Sequence, residues 1–106
     1  MGCEQIMTKL SFIMWGEDLN RFAVTVDENG EIIIRVDLHH LTKKVAEKVL
    51  QGIISLNRFP FTLDVVHGYN HGTTLLEMIR NEFSNQRIQR IYSNSYNPGE
   101  TYLVIQ

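Results

Sequence analysis

Ile32-Ile33-Ile34-Arg35-Val36, then an apolar stripe at Val45, Ala46, Val49, Leu50, Ile53 and Ile54, then Phe61-Thr62-Leu63-Asp64-Val65-Val66: this order reads as strand, helix and strand. The flanking runs are short and β-branched, as strands are, while the middle segment repeats at the spacing of one helical face, with Lys44, Glu47, Lys48 and Gln51 on its other faces. Thr42 is placed to cap the helix, Asn57 and Arg58 end it, and Pro60 blocks its return. A helix of this length between two strands of one sheet requires them to be parallel, and the crossover is right-handed in nearly all cases. The first of the two strands is so rich in isoleucine that it reads as buried on both faces.

Upstream, Phe22 to Val26 alternates apolar with polar, and Asp27-Glu28-Asn29-Gly30 has the chemistry of a turn, so a hairpin strand precedes Ile32. Gln5 to Leu19 carries Met7, Leu10, Phe12, Ile13, Met14 and Trp15 with mixed periodicity. It reads either as a short helix packing on the domain or as an arm that engages a protein or ribosomal partner, and periodicity does not choose between them.

Downstream of Val66 comes the loop His67 to Gly72, then Thr74-Leu75-Leu76-Glu77, which fits a capping box opening a second helix with Leu75, Leu76, Ile79 and Phe83 inward. Ile88 to Tyr92 and Thr101 to Ile105 read as a last pair of strands joined by Ser93 to Glu100, with Pro98-Gly99 as the turn. The expected fold is α/β: a βαβαββ two-layer sandwich with a mixed sheet and two helices, formed by residues 31–106, plus an N-terminal extension with a hairpin strand in residues 1–30.

The 106 residues suit one hydrophobic core, and 43% hydrophobic with 21% charged residues is ordinary for a globular chain. No apolar run approaches the roughly 20 residues that span a bilayer, so no membrane partner is expected. The first residues lack a basic region followed by an apolar one, so the expected location is the cytoplasm. Cys3, the lone cysteine, has no internal disulfide partner. A net charge of −2 argues against a protein that wraps nucleic acid by electrostatics alone. The charge is uneven, however: residues 1–30 hold two basic and five acidic side chains, and residues 31–106 eight basic and seven acidic.

All four histidines fall at the ends of the two central strands, in Asp37-Leu38-His39-His40 and His67-Gly68-Tyr69-Asn70-His71-Gly72. In an open α/β sheet ligands sit outside the carboxyl ends of parallel strands, so Asp37, His39, His40, His67 and His71 are expected on one rim. Asp37 and His39 share a face by strand alternation, and a carboxylate that orients an imidazole suits it to general-base work near neutral pH. The competing reading of Asp-x-His is a polar strand end facing water. Gly68 permits a positive φ or the close approach of a ligand, and Gly72 opens the second helix, whose free N–H groups favour phosphate. Lys43 and Lys44, next to the first loop, add local positive potential or form an ordinary solvated helical turn. The pairs His-x-x-x-His on a helix and Cys-x-x-Cys are absent, which disfavours zinc; a divalent ion such as Mg²⁺ or Mn²⁺ fits better, bound through Asp37 and substrate phosphate. Tyr92, Tyr96 and Tyr102 read as half-buried sheet residues in preference to base-stacking ones.

Val36-Asp37-Leu38-His39 resembles the Leu-Asp-x-His box that opens the small MutS-related (Smr) domain, and Leu41-Thr42 before an amphipathic helix continues the likeness. Phe61 to Gly68 resembles that family's second strand with its His-Gly box, and Gly72 with Leu75 to Phe83 its second helix. Asn97-Pro98-Gly99-Glu100-Thr101-Tyr102-Leu103-Val104 resembles its closing Gly-x-Thr-x-Val strand. The resemblance covers residues 31–106 with the motifs in the family's order and spacing. It implies a βαβαββ sandwich similar to the C-terminal domain of a bacterial translation initiation factor, binding to DNA or RNA, and nicking or RNA-cleaving endonuclease activity in some members. By position, Asp37 and His39 match the box implicated in cleavage, and His67 and Gly68 the substrate-binding box. Two departures stand out. The family usually reads His-Gly-(Lys/Arg)-Gly where this chain has His67-Gly68-Tyr69-Asn70, and His40 stands where the family usually has glycine. A stand-alone nucleic-acid-binding domain with an Asp/His rim is thus expected, His40, Lys43, Lys44, His67, Gly68, His71 and Gly72 contacting substrate. The alternative is a non-catalytic adaptor, which metal-dependent cleavage would distinguish.

Overall fold

Asp27 folds the chain back on itself. Its Oδ1 accepts hydrogen bonds from the backbone N–H groups of Asn29 and Glu31, both at 2.9 Å, and Gly30 supplies the turn's positive φ of 79°. The strands on either side, β1 (Phe22–Val26) and β2 (Ile32–Asp37), therefore pair antiparallel with Phe22 opposite Val36. The structure is a computed structural model that describes residues 2–14, 16–68 and 73–106.

After β2, the Thr42 side chain accepts a hydrogen bond from the Val45 N–H at 3.2 Å and starts α2 (Lys43–Leu56), as its hydroxyl and position predict. Ala46, Val49, Leu50, Ile53 and Ile54 are buried, but Val45 is not, so the apolar face begins one residue later than the stripe suggests. The chain returns as β3 (Phe61–Val66), parallel to β2 and beside it, with Val36 opposite Val65 and Asp37 opposite Val66. The sheet is completed by β4 (Ile88–Asn94) and β5 (Asn97–Ile105), and its order is β1-β2-β3-β5-β4. The two-layer α/β sandwich expected from the sequence is the fold observed.

Several boundaries differ for local reasons. Thr73, not Thr74, occupies the N-cap of α3 (Thr74–Glu77), and no capping box forms; the Thr73 hydroxyl bonds the Glu77 carboxylate instead, at 3.2 Å. The helix then widens to i→i+5 bonding over Met78–Glu82, where Phe83 N donates to Met78 O at 2.7 Å. The last hairpin turns at Ser95 and Tyr96, because Asn94 Oδ1 takes the Tyr96 N–H at 2.8 Å. Pro98-Gly99 thus lies inside β5, at a register irregularity against β4, rather than at the turn.

The core is one cluster beneath the helices: Ile34 and Val36 of β2, Phe61, Leu63 and Val65 of β3, Leu103 and Ile105 of β5, and the buried face of α2. Ile6 and Leu10 of α1 (Cys3–Leu10), together with Met14, belong to it too, so α1 is a short helix packing on the domain. Gly52 makes this docking close. A Cβ there would lie 3.3 Å from an Ile13 side-chain carbon, tight enough to displace it.

The opposite face of the sheet is polar. Arg35, Asp64, Tyr102 and Tyr92 stand in register across four strands, with Arg35 and Tyr92 exposed and Asp64 and Tyr102 half-buried. β2 is accordingly buried on one face only, against the expectation of two: Arg35 and Asp37 alternate with Ile34 and Val36. One side chain locks the far end of the sandwich. Arg87 Nη1 donates to the carbonyl oxygens of Ile54 and Asn57, Nη2 to Phe59 O at 3.0 Å and Nε to Gln106 O at 2.8 Å, which satisfies carbonyls that the end of α2 leaves open. Among the described residues no helix is long and apolar enough to cross a membrane.

Candidate functional site

Because β2 and β3 are parallel neighbours in register, both chains leave the sheet at the same end, and Leu38 N donates to Val66 O at 2.7 Å as they do so. There Asp37 Oδ1 accepts two hydrogen bonds from His39: one from the backbone N–H at 3.1 Å and one from the imidazole Nδ1. A carboxylate is only an acceptor, so Nδ1 carries the proton and Nε2 is left to exchange one. The side chains are 36% exposed for Asp37 and 47% for His39, within reach of a ligand from solvent.

The second loop stands against the first. A Cβ on Gly68, whose φ is 74°, would sit 3.5 Å from His39 Cβ, so the two expected motifs do meet. Gly99 joins them: its carbonyl accepts from His67 N at 2.9 Å and Gly68 N at 3.1 Å, and a Cβ on Gly99 would come within 3.2 Å of Gly68 Cα. A side chain at Gly99 would push the Gly68 backbone back by a few tenths of an ångström, so glycine favours this close approach of β5 to the loop.

His67 has a different part from the one its motif suggests. Its ring is buried, Nδ1 bonds Gly68 O at 2.7 Å and Nε2 bonds the Thr101 hydroxyl at 2.9 Å. Burial holds its pKa below the usual 6.5, against an opposing hydrogen bond to Gly68 O and with the help of the nearby Arg80 cation. The carbonyl acceptor requires Nδ1–H, so Nε2 accepts from Thr101, and the ring is a neutral strut between β3 and β5. His39 and His40, by contrast, are exposed, and their rings pack at 4.4 Å between centroids.

His40 adopts φ 70°, the left-handed region, and is the one non-glycine residue to do so among those described. That conformation costs an L-residue about 1 kcal/mol relative to glycine. His40→Gly is accordingly expected to leave stability unchanged or raise it by up to about 1 kcal/mol, despite the greater freedom of glycine in the unfolded chain. Urea denaturation measures it, and a loss above about 1 kcal/mol would mean that the His40 side chain itself holds the loop.

Of the two lysines, Lys43 turns its amine onto Glu82, and that hydrogen bond, opposed by slight desolvation, raises its pKa. Lys44 is exposed. His71 and Gly72, expected to contact substrate and to open the second helix, lie outside the described residues.

Sequence reasoning missed the groups beside the rim on the open face. Glu100, opposite Val66 and thus two strands from Asp37, is buried and accepts from Asn94 Nδ2 at 2.6 Å and the Tyr102 hydroxyl at 3.1 Å. Arg35 lies 3.9 Å from both Glu100 and Asp64. Burial and then the neighbouring Glu100 carboxylate push Asp64 up from its ordinary 3.8 to about 7. Burial also opposes the charge on Glu100, but hydrogen bonds from Asn94, Asp64 and Tyr102, with Arg35 nearby, outweigh it and hold Glu100 below its usual range. Asp64 thus keeps the proton of the pair. The available signal was the alternation Arg35, Asp37 and Asp64 within otherwise apolar strands.

This pair has a signed consequence. Between 3.8 and about 7 the folded protein retains a proton on Asp64 that the unfolded chain has lost, so this group's contribution to stability declines as pH rises through that window. Asp64→Asn, which keeps the shape and removes the charge, is expected to gain stability relative to the wild type as pH rises from about 5 to about 8. Urea midpoints at four pH values test this, and parallel curves for the two proteins would contradict it.

Among the described residues, no three His, Cys, Asp or Glu side chains are grouped to hold a metal ion. A divalent ion bound at Asp37 would draw its other ligands from outside this set of residues, substrate phosphate and water being the kind Mg²⁺ commonly takes. No family model matches this chain, and no curated protein matches it in sequence.

Proposed function

We propose that the chain is an Smr-like nucleic-acid-binding domain that cleaves phosphodiester bonds at the rim formed by Asp37 and His39. The observation that carries this reading is the hydrogen-bonded carboxylate–imidazole pair, solvent-accessible, at the carboxyl end of the central parallel strands. In that arrangement Asp37 orients the ring through Nδ1, and Nε2 takes a proton from the attacking hydroxyl or water. Lys44 supplies positive potential for the phosphate, and His67 and Gly99 brace the loop from behind.

The small basic set implies modest affinity that falls with salt, since few phosphates are neutralised. Purified protein incubated with supercoiled plasmid and with structured RNA, with and without Mg²⁺ or Mn²⁺, is expected to nick or cut at least one of them. In parallel, Lys44→Glu is expected to weaken oligonucleotide binding about equally for all sequences, because phosphate contacts carry no base information. Absence of cleavage, together with binding indifferent to salt and to Lys44→Glu, would overturn the proposal in favour of the adaptor reading.

A further inference from the structure

Asp37 is the last residue of β2 and His39 lies two residues beyond it, past the ladder bond from Leu38 N to Val66 O, yet both His39 donors converge on one carboxylate oxygen. Besides the bonds from Leu38 N to Val66 O and from Leu41 N to Leu38 O, this short loop is held by the N-terminal segment. Arg21 ends the 3₁₀ turn Gly16–Arg21, and its Nη1 donates to the carbonyl oxygens of Asp37 at 3.0 Å and His39 at 3.1 Å. Its Nε donates to Asp18 Oδ1 at 3.2 Å. A single nitrogen thus grips the backbone on both sides of Leu38, and the other edge of the same guanidinium is aimed by a carboxylate three residues earlier in the 3₁₀ turn.

We propose that Arg21 is the positioning residue of the Asp37–His39 pair: by bracing both carbonyls it keeps the His39 ring in the form that donates Nδ1–H to Asp37 and leaves Nε2 bare. The last step, use of Nε2 on a substrate, rests on the function proposed above; the bracing does not. Arginine suits the task because its planar fork presents donors in two directions at once, whereas a lysine ammonium is a compact point donor on a flexible stem. The role also gives residues 16–21 a purpose beyond covering the core, since none of them is buried. Leu38 between the two gripped carbonyls is fully buried, so a shift of either carbonyl pulls against the core and the loop has two anchors of different kinds.

The test uses the full chain labelled with ¹⁵N and reads the His39 ring nitrogens by long-range proton–nitrogen NMR at about pH 8, where an imidazole is ordinarily neutral. Wild type is expected to show a protonated Nδ1 and a bare Nε2, the reverse of the form that free imidazole side chains prefer. Arg21→Gln is expected to move the population toward Nε2–H while the amide signals of Leu50 and Leu103 stay in place, and Arg21→Lys to restore part of the wild-type signature. Should Arg21→Gln fail to fold, Asp18→Asn decides: it frees the guanidinium from its guide, and a partial tautomer shift supports the proposal. An unchanged tautomer in folded Arg21→Gln, or in Asp18→Asn where that variant must decide, would overturn it, as would a wild type already in the Nε2–H form. In a cleavage assay Arg21→Gln should lower kcat about tenfold with KM held, as for a misoriented group. Lack of cleavage by wild type would sink the catalytic reading and leave the tautomer result to judge Arg21.

Discussion

Asp37→Asn is expected to lower phosphodiester cleavage by about 100-fold or more and to leave the fold intact. The amide oxygen of asparagine still accepts the His39 N–H, so the turn that Asp37 makes at the end of β2 survives. Its charge does not. An amide can also present N–H to the ring, which drives the proton from Nδ1 to Nε2 and removes the lone pair that the reaction needs. His39→Ala is expected to cost a similar factor by removing the base, and the double variant little more than either single one, since two groups that act as a unit are not additive. Rates measured beside thermal unfolding check this. Cleavage that survives both substitutions would place the activity elsewhere.

Arg87→Ala carries the largest expected loss of stability, about 3 kcal/mol, or roughly 15 °C in Tm for a chain of this size. The guanidinium donates to four carbonyl oxygens drawn from the end of α2, from the connection to β3 and from the C-terminal residue. Hydrogen bonds to a charged donor contribute about 1.5–3 kcal/mol each, and water that enters after truncation recovers only part of that. Arg87→Lys should restore little, because one ammonium cannot span acceptors on three sides. Denaturant unfolding monitored by circular dichroism tests the pair, and a loss under about 1 kcal/mol for Arg87→Ala would show that solvent serves these carbonyls equally well. The cleft beside it, lined by Ile54, Ser55, Arg58, Asn85, Gln86 and Arg87, is at the opposite end of β3 from Asp37 and His39, so the two predictions are expected to be independent.

The central strand–helix–strand unit was legible because its signals are local: β-branched runs, a helical stripe and Thr42 at the cap all concern neighbours in the chain. Parallel pairing of β2 with β3 followed from connection length alone, and with it the meeting of Asp37, His39 and Gly68. Less was readable where a long-range partner decides. His67 looked like a ligand because nothing nearby in sequence shows that Thr101 takes its Nε2. Lys43 looked available until Glu82 arrived from the second helix, and Arg21 and Arg87 gave no sign of the carbonyls they serve. The isoleucines of β2 obscured the alternation that puts Arg35 on the open face, and its partners Asp64 and Glu100 come from other strands. The π-type widening after Glu77 and the early start of β5 depend on packing and register, which propensity does not encode.

The way Gly99 and Thr101 back the His67–Gly68 loop also bears on when this site comes into being as the chain folds. The two hairpins, β1–β2 and β4–β5, join segments close in sequence and close quickly; the pairing of β3 with β5 must wait for a much longer loop to shut, and long loop closures are slow. Arg21 can reach Asp37 and His39 as soon as the first hairpin is docked, whereas Gly68 settles against His39 only after the last strand is in place. A chain with only the first hairpin docked would hold one half of the rim without the other. In a refolding time course, affinity for an oligonucleotide is expected to emerge with the slowest phase, after most helical signal has returned, so that newly made or stressed molecules stay silent until their final strand is seated.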